Sequence, residues 1–278
     1  MTTQFRAAVL GSPIAHSRSP QLHRACYAVL QRPDCDYQRI EVPRGGLAAF
    51  LRGLDDTWMG VSLTMPLKEE ALALVDHLEP SARRIGAINT IAFRPGSVAG
   101  FNTDQLGFRE VLRPLLPQGG TSVVVGTGAT ARSALSALVP YEPREVTIIG
   151  RNPLKFHDLV ERFPELPLRF IDWPTPADAS APPLAVPADV VLCTLPPTVE
   201  NPLAPLPGQH LVDVNYPDPP SLRRWLAAGG RGQDGVELLV HQGVVQAALF
   251  VGRELPDALL EEMIVTARTA VRASLGTD

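Results

Sequence analysis

The chain has 278 residues, 45% of them hydrophobic and 19% charged, with a formal net charge of −4. That length suits two domains and that composition a well-packed core. The acidic balance and the absence of any Lys/Arg run exclude a general nucleic-acid binder, and no stretch reaches the roughly 18 apolar residues of a membrane span.

Cys26, Cys35 and Cys193 are odd in number, far apart and without a CxxC pair, as expected of reduced thiols in a cytoplasmic protein. The six histidines lack ligand spacing, so no metal site is expected. The first apolar run is too short for a signal peptide core. Proline is abundant, 28 residues, many of them in 174–187, 196–207 and 217–220, which reads as stiff loops.

In chain order, FRAAVLG (5–11) is a strand. SPQLHRACYAVLQ (19–31) is an amphipathic helix with Ser19 as N-cap and Pro20 at its first position. CDYQRIEV (35–42) is a strand, RGGLAAFLRGL (44–54) a helix and WMGVSL (58–63) an apolar strand. A helix over about 66–77, a short one at 80–85, the strand NTIAF (89–93) and a helix at about 105–116 follow. Such alternation implies a parallel or mixed sheet covered on both faces.

After PQGG (117–120), TSVVV (121–125) is a fully buried strand type that runs straight into GTGATA (126–131) and the helix ARSALSALV. EVTIIG (145–150), a helix at 153–163 and strands near 167–171, 189–194 and 210–214 complete the order of a doubly wound dinucleotide-binding domain. Two C-terminal helices, from HQGVVQAALFVG and PDALLEEMIVTARTAVRAS, are expected to pack back on the first domain.

Gly126 permits a tight turn and Gly128 lets the backbone approach a pyrophosphate, with Ala131 as the third small residue. A glycine-rich turn can also be purely structural, but this one sits between a buried strand and a helix. An NAD site places an acid at the end of the next strand. Here IIGRNPLK offers Arg151, with Lys155 one helical turn on. A guanidinium accepts a 2′-phosphate that a carboxylate would repel, so NADP is expected, unless Arg151 only caps a surface turn.

VSLTMPLKEEA (61–71) puts Lys68 in the first turn of the expected helix, where the dipole favours an acid. A ketone reduction needs a proton for the developing alkoxide, and a lysine held near an acid supplies one. Asp104 in GFNTDQLGF, at the junction of the two blocks, is the candidate partner. Taken singly, either residue would pass for surface charge.

Together, GSPIAHSRSPQLH (11–23), VSLTMPLKE (61–69), IGAINTI (85–91), GFNTDQLGF (100–108), GTGATA and GVELLVHQGVVQAALF (235–250) resemble shikimate dehydrogenases over nearly the whole chain. The resemblance implies an α/β fold with an N-terminal α/β substrate domain, a Rossmann-type doubly wound NADP-binding domain and a cleft between them. The substrate domain would be 1–104 with 239–278, and the cofactor domain 105–238. The implied activity is the NADPH-dependent reduction of 3-dehydroshikimate to shikimate in aromatic amino-acid (chorismate) biosynthesis, by a cytoplasmic monomer or homodimer without nucleic-acid or membrane partners.

By the same resemblance Lys68 and Asp104 are the catalytic pair. Ser17 and Ser19 donate to the substrate carboxylate, although an N-cap role would also explain Ser19. Thr64, Asn89, Asp104, Tyr216 and Gln242 contact the ring. Gly126, Thr127, Gly128, Ala129, Thr130 and Arg151 hold NADP, and Gly235 lies beside the nicotinamide. Whether Lys68 or a water that it positions transfers the proton stays open.

The chain departs from the family in three places. Ser62 stands where asparagine is commonest, and serine reaches a substrate hydroxyl only at closer range. LCTLPPTVENP (192–202) lacks the usual glycine and methionine near the nicotinamide. Leu238 and Leu239 replace a methionine before Gln242, a volume-conserving change. Two rivals remain: a quinate/shikimate dehydrogenase using NAD(P), and a catalytically silent NADP-binding sensor. Intact Lys68 and Asp104 weigh against the sensor.

Overall fold

A computed structural model describes residues 4–173 and 183–276. Most of the proline-rich 174–187 segment therefore lies outside the described residues. The chain divides into two units, residues 1–107 with 239–278, and residues 108–238.

The first unit contains β1 (Phe5–Gly11), α1 (Ser19–Val29), β2 (Cys35–Glu41), α2 (Leu47–Arg52) and β3 (Trp58–Leu63). It continues with β4 (His77–Leu78), α3 (Pro80–Ile85), β5 (Thr90–Arg94), β6 (Ser97–Phe101) and the start of α4 (Asp104–Leu112). Its sheet order is β2-β1-β3-β5-β6-β4. Of these strands only β5 is antiparallel to its neighbours. One sheet face packs Ala8, Leu10, Val61, Leu63 and Ile91 against Leu47, Leu67 and Ala82.

Three sequence expectations are corrected here. Ser19 is the first residue of α1, Arg18 holds the cap position, and no side chain caps the helix. The 44–54 helix shortens to α2. The expected 66–77 helix is absent except for one 3-10 turn, Glu70–Ala73. Tertiary bonds hold this segment in another shape. The Lys68 carbonyl accepts from Ile88 N–H at 2.8 Å, and the Glu70 carboxylate accepts from the Gly45 and Leu47 amides at 2.8 and 3.1 Å. The helix-dipole puzzle over Lys68 therefore dissolves, since Lys68 stands in a turn.

The second unit begins within α4 and has β7 (Thr121–Val125), α5 (Ala129–Leu138), β8 (Glu145–Gly150), α6 (Pro153–Arg162) and β9 (Leu168–Asp172). Next come β10 (Val190–Cys193), β11 (His210–Asp213), α7 (Pro220–Ala227) and β12 (Arg231–Gln233). Helix α8 (Val236–Val251) starts here and ends in the first unit, where α9 (Asp257–Leu275) packs against α1. The sheet is parallel throughout, in the order β12-β11-β10-β7-β8-β9. Val124, Ile148, Leu192 and Val212 face one core, and Val123, Val125, Ile149, Val191 and Leu211 the other. A parallel sheet buried on both faces reads as continuous apolar runs for this reason.

Candidate active site

In the first unit the candidate side chains collect at one end of the sheet. β1, β3 and β6 all finish there, and antiparallel β5 starts there, with Ser62 opposite Thr90 and Thr90 opposite Phe101. Thr64 follows β3, Asn89 precedes β5 and Asp104 opens α4 just beyond β6. The Thr64 amide donates to Leu10 O at 2.9 Å and the Ser12 amide to Met65 O at 3.0 Å, which binds the loop after β1 to the turn after β3. Gly11 makes room for that contact, since a Cβ there would lie 2.4 Å from Thr64 Cγ2.

Lys68 Nζ donates to Asp104 Oδ2 at 2.5 Å, with side-chain exposures of only 15% and 11%. The other carboxylate oxygen, Oδ1, accepts from Asn89 Nδ2 at 2.8 Å. Asp104 also occupies the first turn of α4, where the dipole favours an anion. Gln242 Oε1 accepts from Asn89 Nδ2 and Thr103 Oγ1, both at 3.3 Å, while its Nε2 donates to Leu239 O. Lys68, Asp104, Asn89 and Gln242 thus form one connected set. Ser17 Oγ donates to Ser19 Oγ at 3.2 Å and accepts from the Ser19 amide at 3.3 Å, so two buried hydroxyls stand side by side at the start of α1. The position-62 expectation is corrected: the buried Ser62 hydroxyl bonds Tyr37 and Gln246 instead of waiting for a substrate hydroxyl.

In the second unit the sheet reverses its winding between β7 and β10, the switch point at which open α/β sheets bind ligands. Gly126 leaves β7 there with φ +117°, and a Cβ on it would lie 2.5 Å from Thr194 Oγ1 at the end of β10. Gly128 caps α5 without any side-chain bond, and a Cβ on it would meet nothing within 4 Å. Gly128 is exposed with open space beside it, which leaves room for a diphosphate at the start of α5. Gly150 lets the Thr127 methyl within 2.9 Å of where its Cβ would stand.

Arg151 and Lys155 are exposed, and neither side chain bonds a described residue. Asn152, not Arg151, caps α6, through its Oδ1 on the Leu154 amide at 2.9 Å. Asn152 thus does the capping at α6, and Arg151 and Lys155, bonded to no described residue, are suited to a phosphate. Gly235 packs on the end of β11, its amide donating to Asn215 O at 2.9 Å, and a Cβ there would lie 2.1 Å from Val214 O. Tyr216 belongs to this unit, in the turn after β11. The altered 192–202 loop is held by Asn215 Nδ2 on Leu195 O at 2.9 Å and by Arg224 on Glu200 and Asn201 O.

Sequence reasoning missed Tyr37, Thr90, Thr103, Gln246 and Asn215 as parts of these networks. For Gln246 there was a signal, a lone polar residue inside the apolar run GVVQAALFVG.

Together the doubly wound parallel sheet and the largely buried ammonium–carboxylate pair define a two-unit α/β oxidoreductase with a Rossmann-type second unit. A family model described as the shikimate dehydrogenase substrate binding domain matches residues 9–91. The NADP(+) shikimate dehydrogenase of Sphingopyxis alaskensis is 35% identical over 92% of this chain and 94% of its own. Among solved structures, Mycobacterium tuberculosis shikimate dehydrogenase aligns with TM-score 0.79 and 33% identity, covering 94% of this chain and 99% of that one. Thermus thermophilus shikimate 5-dehydrogenase in complex with NADP(H) and shikimate aligns with TM-score 0.75 and 31% identity, covering 96% and 100%. The chain belongs to the shikimate dehydrogenase family.

Proposed function

We propose that this protein reduces 3-dehydroshikimate to shikimate with NADPH, reversibly, in aromatic amino-acid biosynthesis. The carrying observation is the largely buried Lys68–Asp104 pair, its carboxylate held on the far side by Asn89. A sensor has no use for an ammonium kept at some desolvation cost over a sheet end.

In this reading residues 1–107 with 239–278 take the ring acid, and 108–238 take the dinucleotide. Ser17 and Ser19 donate to the substrate carboxylate. Thr64, Asn89, Tyr216 and Gln242 meet the ring hydroxyls, and each unmet donor penalises a substrate lacking its partner. Lys68 gives a proton, directly or through a water, to the oxygen of the ketone as it becomes an alkoxide. Asp104 holds the ammonium in place and stabilises its charge. NADPH, when bound, supplies the hydride. Gly126, Thr127, Gly128, Ala129 and Thr130 cradle its diphosphate, Arg151 takes the 2′-phosphate with Lys155 nearby, and Gly235 borders the nicotinamide. Three free cysteines suit a reducing cytoplasm, where the enzyme acts as a monomer or homodimer. No helix among the described residues is long and apolar enough to cross a membrane.

Steady-state oxidation of shikimate and of quinate, each with NADP and with NAD, tests the proposal. The expected result is turnover of shikimate with NADP well above the other three combinations. Preferred turnover of quinate with NAD would give the protein to the rival dehydrogenase, and no turnover at all to the sensor.

A further inference from the structure

We infer that Tyr37, Ser62, Gln246 and Thr90 are positioning residues, a one-way relay of hydrogen-bond donors that fixes the Asn89 amide on the Asp104 carboxylate. The inference rests on the functional reading above for its kinetic consequence only.

Tyr37, Ser62, Gln246, Thr90 and Asn89 are all at most 3% exposed, so none relies on bulk water for its partners. Tyr37 Oη lies 2.7 Å from Ser62 Oγ, which lies 2.7 Å from Gln246 Oε1. Gln246 Nε2 is 2.9 Å from Thr90 Oγ1 and 3.2 Å from Asn89 O. Thr90 Oγ1 is 2.8 Å from Asn89 Oδ1, and Asn89 Nδ2 is 2.8 Å from Asp104 Oδ1.

Two main-chain groups dictate the direction of every bond. The Thr103 amide can only donate, and it reaches Asn89 Oδ1 at 2.8 Å. Asn89 must therefore turn its Nδ2 toward Asp104. The Asn89 carbonyl can only accept, so the Gln246 atom facing it is Nε2, and Oε1 faces Ser62. Ser62 then donates to Gln246 and accepts from Tyr37. Thr90 accepts from Gln246 and donates to Asn89. All protons point toward Asp104, the arrangement in which each bond polarises the next.

The relay also gives Ser62 a reason. Its hydroxyl accepts one bond and donates one, which commits it to the scaffold. Tyr37 is held in turn by its ring, stacked on His23 at 3.8 Å with planes 6° apart. Cutting the relay at Gln246 leaves the Thr103 amide and Thr90 on Asn89 Oδ1 but removes the donor to Thr90 and to the Asn89 carbonyl, which loosens the Asn89 amide against the carboxylate that Lys68 needs.

The test compares wild type with Gln246→Leu, Tyr37→Phe and the double variant. Two readouts are used: exchange of the Asn89 side-chain amide protons by NMR, and shikimate oxidation with NADP counted per NADPH-binding site. Gln246→Leu is expected to speed exchange and lower kcat, each about tenfold, with shikimate KM changing less than about threefold. Tyr37→Phe, the loss of one oxygen, should lower kcat about threefold alone and not further in the Gln246→Leu background. Unchanged exchange in Gln246→Leu, or an equal Tyr37→Phe effect in both backgrounds, would overturn the relay. If Gln246→Leu does not fold, unchanged Asn89 exchange in Tyr37→Phe overturns it alone. A wild type inactive on shikimate would sink the functional reading, while the exchange rates would still decide the relay.

Discussion

Lys68 Nζ and Asp104 Oδ2 stand 2.5 Å apart, on a turn after β3 and at the first turn of α4. The contact is between residues 36 apart in sequence, both largely withdrawn from water. Removing one charge leaves the other buried and uncompensated. Asp104→Asn is therefore expected to lower kcat for shikimate oxidation by about two orders of magnitude, the usual scale of a lost acid–base function. Steady-state kinetics at saturating shikimate check this, and a loss under threefold would free Asp104 from the role.

The glycine turn gives a contrast between two alanine substitutions two positions apart. Gly128→Ala puts its methyl into open space, so stability should change by less than about 1 kcal/mol while NADPH affinity falls at least about tenfold. Gly126→Ala forces φ +117° on an L-residue and a methyl onto Thr194 Oγ1, so it should destabilise the fold itself by about 1–3 kcal/mol. Urea unfolding and NADPH titration separate the two.

Arg151 is the cation at the end of β8, and its side chain bonds no described residue. Arg151→Gln is expected to raise the KM for NADPH about 10–100-fold, the worth of a charge-assisted bond, and to leave NADH within about twofold. Equal effects on both cofactors would place the 2′-phosphate elsewhere.

His23 supplies a pH test of the first unit. Burial holds its pKa down, to about 3 from the usual 6.5. The unfolded chain takes up a proton below 6.5 while the folded chain does not. Stability from this group is therefore complete above pH 6.5 and falls as pH drops toward 3, by up to about 1.4 kcal/mol per unit. His23→Phe keeps a ring on Tyr37 and removes the titrating nitrogens, so urea unfolding between pH 6.5 and 5 should become flatter. An unchanged slope would mean that other groups set it.

The strands were the most legible part of the sequence. FRAAVLG, WMGVSL, TSVVV and EVTIIG coincide with β1, β3, β7 and β8, because uninterrupted apolar runs are what a doubly covered sheet requires. The 66–77 helix was misread because KEEALAL has helical propensity that says nothing of Gly45, Leu47 and Ile88 competing for its polar groups. β4 was missed because it has only two residues, and β6 because Gly100 looks like a breaker until Ile88 and Val75 are seen packed over it. α7, which starts at the end of the proline cluster 217–220, and β12, a three-residue strand among glycines, went unread. At the site, family motifs carried Lys68, Asp104, Asn89 and Gln242. The Ser62–Gln246 bond joins residues 184 apart, and no local pattern encodes such a partnership.

The most direct test of the central claim is the kinetics of Lys68→Ala in shikimate oxidation with NADP, beside wild type. Transfer of the proton through Lys68 predicts a kcat lower by about 10²–10⁴-fold with shikimate affinity changed only a few-fold. A variant that turns over shikimate at the wild-type rate would contradict it.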